Sequence, residues 1–294
     1  MTDVKLFGQY LHLHFIVILL GFTAILGALI SLDAISLVWW RMLFAIGGLY
    51  LFLIYRGIPL KIGFLQFLHL SFIGIIVALH WITFFHAIKV SNVSVTLGVF
   101  ASTTLFTSFL EPLLQKRKIF WLEILIGLII IGGIYLIFQY EMQYVSGILF
   151  SLLSALLNSL FVVLNRNISR KWNPTVISFY EMIGGFIAIS IYFLVLFNPQ
   201  ASTFHLSWAD LGWILVLSLL CTSYAFTAIV QIMKQLSAYT VVLAINLEPV
   251  YGIFLAYLIF GQSETMSGGF YIGTLVILCS VFAYPLLKRK FAPE

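Results

Sequence analysis

Four ionisable residues stand inside long apolar runs of the sequence: Arg41, Glu111, Glu181 and Glu248. A charged side chain at the centre of a bilayer costs about 2.5–3.5 kcal/mol to insert, so such residues face a cavity or a partner. A guanidinium in that position can hold a carboxylate, and a carboxyl can hold an amine or a proton. Arg41 and Glu181 occupy corresponding places when the two halves of the chain are aligned, with opposite charge. The functional assignment gives Glu181 to a substrate amine or a proton and Arg41 to a carboxylate. The structural alternative has Arg41 bonding backbone carbonyls and Glu181 resting in a polar cluster. Glu248 precedes Pro249, and proline removes a backbone donor and frees a carbonyl, which makes this a pocket, gate or kink position. Thr240, Ala244, Glu248 and Tyr251 share one helical face. Glu111, next to Pro112, stands closer to the Lys116-Arg117-Lys118 cluster and is read as an interfacial carboxylate paired with it.

Polar stripes at helical spacing accompany these groups. Ser151, Ser154, Asn158 and Asn165 form one, with Asn158 the member best suited to touch a solute; Thr104, Ser108 and Glu111 form a second, and Tyr224, Thr227 and Gln231 a third. Such stripes line a wet cavity or act as interhelical hydrogen-bond glue, worth only about 0.6 kcal/mol each. The segment His80-Trp81-x-x-Phe84-Phe85-His86 offers an aromatic wall with a hydrogen-bonding or proton-accepting histidine, or else interfacial aromatics. No His-box, paired-carboxylate motif, nucleophile elbow or phosphate-binding glycine loop is present, and the two cysteines, Cys221 and Cys279, stand alone in apolar runs. No metal or cofactor is expected.

The elements that must position these residues follow from composition. The chain has 294 residues, 62% of them hydrophobic and only 9% charged. Soluble domains carry roughly 25% charged residues, so lipid is the solvent that tolerates this surface. The apolar runs are continuous rather than alternating, which excludes a β-barrel. A crossing helix needs about 20 apolar residues, and ten are expected, at 14–32, 35–55, 64–87, 92–114, 120–139, 146–165, 174–197, 210–232, 238–260 and 267–287. The first is expected to be an uncleaved span, because no small-x-small site follows it.

The net charge of +5 does not indicate nucleic acid, because the basic residues sit between the apolar runs. Thirteen of the fifteen Lys and Arg fall on one set of connections, against Lys89 alone on the other, with Arg41 inside a span. This bias places both termini in the cytoplasm of a cell-membrane protein. The halves also resemble each other. At an offset of 146, Ser91-x-x-x-Val95-x-Leu97 lies over Ser237-x-x-x-Val241-x-Leu243, and Ile126-Gly127 over Ile272-Gly273; at 140, Trp39-Trp40-Arg41-Met42 lies over Phe179-Tyr180-Glu181-Met182. The expected fold is all-α and integral to the membrane: ten transmembrane helices as two inverted five-helix repeats, residues 1–140 and 141–294. Inverted repeats are common in secondary transporters, whose sites lie near the midplane between the repeats; channels use them too. Gly269-x-x-x-Gly273 permits close helix approach, within the chain or across a homodimer, the intramolecular use being preferred.

The layout, together with Arg41 early in the second span, Ser91-Asn92-Val93-Ser94 opening the fourth and Ala238-Tyr239-Thr240 opening the ninth, resembles the EamA family of the drug/metabolite transporter superfamily. Leu247-Glu248-Pro249-Val250-Tyr251 followed by Phe260-Gly261-Gln262-Ser263-Glu264 is similar to that family's close of the ninth span. The first repeat departs from the pattern, with Ser102-Thr103-Thr104 and Lys116-Arg117-Lys118 at the matching places. The resemblance implies transport of amino acids, other metabolites or drugs, often outward, with a small-molecule solute and the bilayer as partners and no catalytic residues. The rivals are an integral-membrane transferase and a passive channel.

Overall fold

The structure, a computed structural model, describes residues 3–116, 121–168, 172–197, 204–232 and 244–291. Its helices are α1 (Asp3–Leu29), α2 (Ala34–Tyr55), α3 (Phe64–Val90), α4 (Val93–Phe100), α5 (Thr103–Gln115), α6 (Trp121–Tyr140), α7 (Val145–Ile168), α8 (Pro174–Tyr192), α9 (Trp208–Leu215), α10 (Ala225–Ile232), α11 (Glu248–Phe260) and α12 (Gly268–Phe291). Among the described residues no strand occurs. Among the described residues eight stretches are long and apolar enough to cross a membrane, from Phe7–Leu29 to Trp208–Ile229, and Gly268–Tyr284 is a shorter apolar helix. The ninth of the ten expected spans is described only from residue 244, because 233–243 lie outside the described residues, as do Arg117, Lys118, Arg170, Lys171, Lys234 and Thr240.

The outside of the bundle is apolar: Phe7, Leu51, Phe72, Leu128, Leu194 and Leu258 are all exposed. Water would penalise such a belt, and lipid does not. Inside, α3 packs against α7 and α8, α2 against α8, α1 against α11, and α6 against α12. The α1–α11 crossing is close because it pairs two glycines. A Cβ on Gly21 would stand 3.0 Å from the Gly252 nitrogen and 3.1 Å from the Glu248 carbonyl oxygen. Gly273 is used within the chain, since its Cβ would lie 2.6 Å from the Gly133 carbonyl oxygen of α6.

Two features depart from the expected spans. Helix α1 begins at Asp3 rather than near residue 14. Gln9, Tyr10, His12 and His14 interrupt the apolar run, but helix formation requires backbone bonds and not apolar side chains, and both histidines find partners on other helices. The fourth span is broken: α4 ends at Phe100 and α5 starts at Thr103, with Ser102 fully buried between them. A second break occurs in the ninth, where a turn at 246–247 precedes α11, which opens with Glu248 and Pro249. Ser102 and Glu248 are 146 residues apart, the offset that aligns the two halves. Pro249 thus opens a helix, where its missing N–H is harmless, rather than bending a continuous one.

Candidate functional site

Asp33 accepts hydrogen bonds from the Ile35 and Ser36 amides and so sets the start of α2. Two turns later Arg41 points into the bundle, only 3% exposed. Its Nε and Nη2 donate to the Thr222 hydroxyl at 3.1 and 3.0 Å. The guanidinium carbon lies 3.6 Å from the centroid of the Trp81 ring on α3, with Phe85 at 5.5 Å, a cation–π arrangement. Thr222 belongs to a π-helical stretch, Val216–Tyr224, and donates to the Leu217 carbonyl at 2.9 Å. With one proton donated and two accepted, that hydroxyl is saturated. Arg41 Nη1 is buried and has no partner among the described residues.

Glu248 stands close enough to Arg41 for the two charges to act on each other, and no hydrogen bond joins them among the described residues. It is partly buried at the start of α11. Cys221 is buried close to Arg41, and Thr23 of α1 lies beside Cys221. Below the α1–α11 crossing, the Tyr251 hydroxyl pairs with His14 Nδ1 at 2.9 Å and the Tyr224 hydroxyl with His12 Nε2 at 2.7 Å. The cluster therefore takes residues from α1, α2 and α3 and from the π-helical stretch and α11.

The other expected site residues divide. His80 is buried, its Nδ1 2.8 Å from the Ser154 hydroxyl, and its ring is stacked on Phe100 and Phe161. It joins α3 to α7 rather than opening onto a cavity. Thr227 bonds the Ser223 and Tyr224 carbonyls of its own helix. Asn158 is partly exposed on the face that carries Ser154 and Asn165. Glu181 stands apart from Arg41, on α8, and accepts a hydrogen bond from Asn165 of α7. The Gln231 side chain lies outside the described residues. Glu111 lies in α5 one residue before Pro112. Sequence reasoning passed over Thr222, His12 and His14. Two histidines two apart in a first span were a usable signal; a single threonine in an apolar run was not.

The end of the bundle that carries Lys89 holds several polar contacts, those of Asp210 and Glu264 joining the two halves and that of Lys89 lying within the first. Asp210 accepts from the Ser31 amide at 2.7 Å and its hydroxyl at 2.6 Å, and Lys89 donates to the Ile30 carbonyl. The Glu264 carboxylate sits on the N-terminus of α4, accepting from the Val93 and Ser94 amides at 3.1 and 2.8 Å, where the helix dipole favours an anion. Beside it opens a cavity of about 310 Å³ lined by Ala28, Ile88, Asn92, Tyr144, Phe260 and Glu264. Ala28 and Ile88 belong to the same helices as Thr23 and Phe85, farther toward that end.

No curated protein matches the chain significantly. Nineteen solved chains match in fold. One, a crystal structure of a protein, shares 16% identity over 96% of this chain and 99% of its own, with a TM-score of 0.66. The profile of the EamA-like transporter family matches twice in succession, over residues 10–139 and 145–284. With nearly its whole length matched in two copies, the chain belongs to the EamA-like transporter family and is a multi-pass membrane transporter of the drug/metabolite type.

Proposed function

We propose that this protein exports small zwitterionic solutes, amino acids or related metabolites, across the cytoplasmic membrane by alternating access. Ten spans form two inverted repeats, residues 1–140 and 141–294, with both termini in the cytoplasm, and the repeats rock about the Arg41–Glu248 cluster. The observation that carries this reading is the Nη1 of a buried arginine, unpartnered among the described residues and held over Trp81 with Glu248 nearby. A buried guanidinium with free N–H groups is a carboxylate receptor, and a neighbouring carboxylate suits the ammonium of the same solute. Helix breaks at Ser102 and at Glu248 support the placement, because discontinuous helices border transporter sites. The 13:1 Lys/Arg bias supports the orientation. In this orientation the Asp210, Lys89 and Glu264 contacts lie at the outer end. Glu264 and Asp210 then act as the outer closure that rocking must release.

The test is counterflow in proteoliposomes preloaded with an unlabelled amino-acid mixture and given the labelled mixture outside. Accelerated, saturable uptake is expected, lost in Arg41→Gln and Glu248→Gln. Non-saturable flux indifferent to preloading would instead indicate a channel.

A further inference from the structure

Outside the Arg41 cluster, the described residues contain one deeply buried carboxyl with an oxygen that lacks a partner. Glu181 is 2% exposed. Among the described residues its hydrogen-bond partner is the Asn165 amide. Its Oε1 is buried with no partner among the described residues, and so is the Asn165 Oδ1. Two buried acceptor oxygens on adjacent side chains thus lack donors among the described residues. Leaving such atoms bare costs about 1–3 kcal/mol each, more for an ionised group. The titratable groups on the helices packed against α8 are Arg41, Tyr50 and Tyr55 on α2 and His69, His80, His86 and Lys89 on α3. Among the described residues none of them bonds or pairs with this carboxyl. Close packing holds it in place: α3 and α8 meet at Gly74 and Gly184, where any Cβ would strike the Glu181 and Ser71 backbones.

We propose that Glu181 and Asn165 form a proton-binding site separate from the Arg41–Glu248 cluster, with the proton on Glu181 Oε1 shared with the Asn165 carbonyl oxygen. One proton supplies the donor that both oxygens lack. A carboxylic acid and a primary amide are complementary: the amide N–H donates to one carboxyl oxygen and the acid O–H donates to the amide oxygen. The step is a proton transfer alone. An O–H bond forms on Oε1 with a proton from the aqueous phase, the carboxyl becomes neutral, and release reverses both. Asn158, seven residues before Asn165 on the same face and partly exposed, leads from the site toward the α7 stripe. An acid that is neutral when loaded and charged when empty couples the proton to the carrier's conformation. This coupling rests on the carrier assignment; the proton site itself does not.

Two measurements on the purified, reconstituted protein keep the two claims apart. Infrared difference spectra across pH should show the C=O stretch of a protonated carboxyl. It should be lost in Glu181→Gln, shifted in Asn165→Leu and retained in Glu248→Gln. A band that survives Glu181→Gln overturns the proton site, whatever the protein transports. In proteoliposomes with the amino-acid mixture, Glu181→Gln should keep counterflow within about twofold while losing accumulation driven by a pH gradient. Loss of both together in a folded variant, or accumulation driven by sodium and unaffected by pH, overturns the coupling role.

Discussion

Arg41→Lys keeps the positive charge and removes the fork, and so isolates the geometric part of the site. Arg41 spends Nε and Nη2 on Thr222 and leaves Nη1 free above Trp81. A lysine ammonium reaching the same space is a point charge that cannot hold Thr222 and present a second, parallel donor to a carboxylate. Losing one charge-assisted bond in a desolvated site removes about 1.5–3 kcal/mol, which corresponds to a roughly 10- to 150-fold rise in half-saturation. The maximal rate should change less, because the rocking helices are untouched. The assay is the concentration dependence of counterflow, with a thermal melt of the same preparation to show that the variant is folded. A folded Arg41→Lys protein with half-saturation within twofold of the parent would refute the carboxylate-receptor argument.

Further outcomes follow from other contacts. Ser154→Ala removes the hydroxyl partner of His80 Nδ1 and leaves it the Ser154 carbonyl at 3.1 Å; it should lower the detergent melting temperature by about 0.5–1.5 kcal/mol of stability, with solute half-saturation unchanged, and a large affinity loss would restore His80 to the site. Glu264→Gln removes the charge on the α4 N-terminus, worth up to about 2 kcal/mol, and should increase labelling of a cysteine placed at Asn92 by a membrane-impermeant reagent added outside. Unchanged labelling would show that this contact does not close the outer end. Gly21→Ala places a methyl 3.0 Å from the Gly252 nitrogen, a backbone atom that cannot turn away. The cost should be about 1–3 kcal/mol, read as a lower melting temperature, and a neutral result would mean that α1 and α11 are not so closely crossed.

Composition and periodicity made the helical, membrane-embedded character of the chain legible, because a sequence 62% hydrophobic and 9% charged has no aqueous solution. They also singled out Arg41, Glu181 and Glu248, since a charge in an apolar run is conspicuous against its neighbours. The doubled pattern at an offset of 146 pointed to two repeats, and the family profile matches the chain twice. What sequence could not rank was which of these charges meet. Arg41 and Glu181 are equivalent by alignment, and the structure puts Glu248 near Arg41 and Asn165 beside Glu181. Helix rotation and crossing decide that, and they depend on small residues at distant positions such as Gly21 with Gly252. Thr222 was invisible for the same reason: a lone threonine becomes a ligand only where a π-helical stretch and α2 bring it to a guanidinium. The residues that carry charge were written in the sequence; their partners were set by packing, because hydrogen bonds in lipid are completed between helices far apart in the chain.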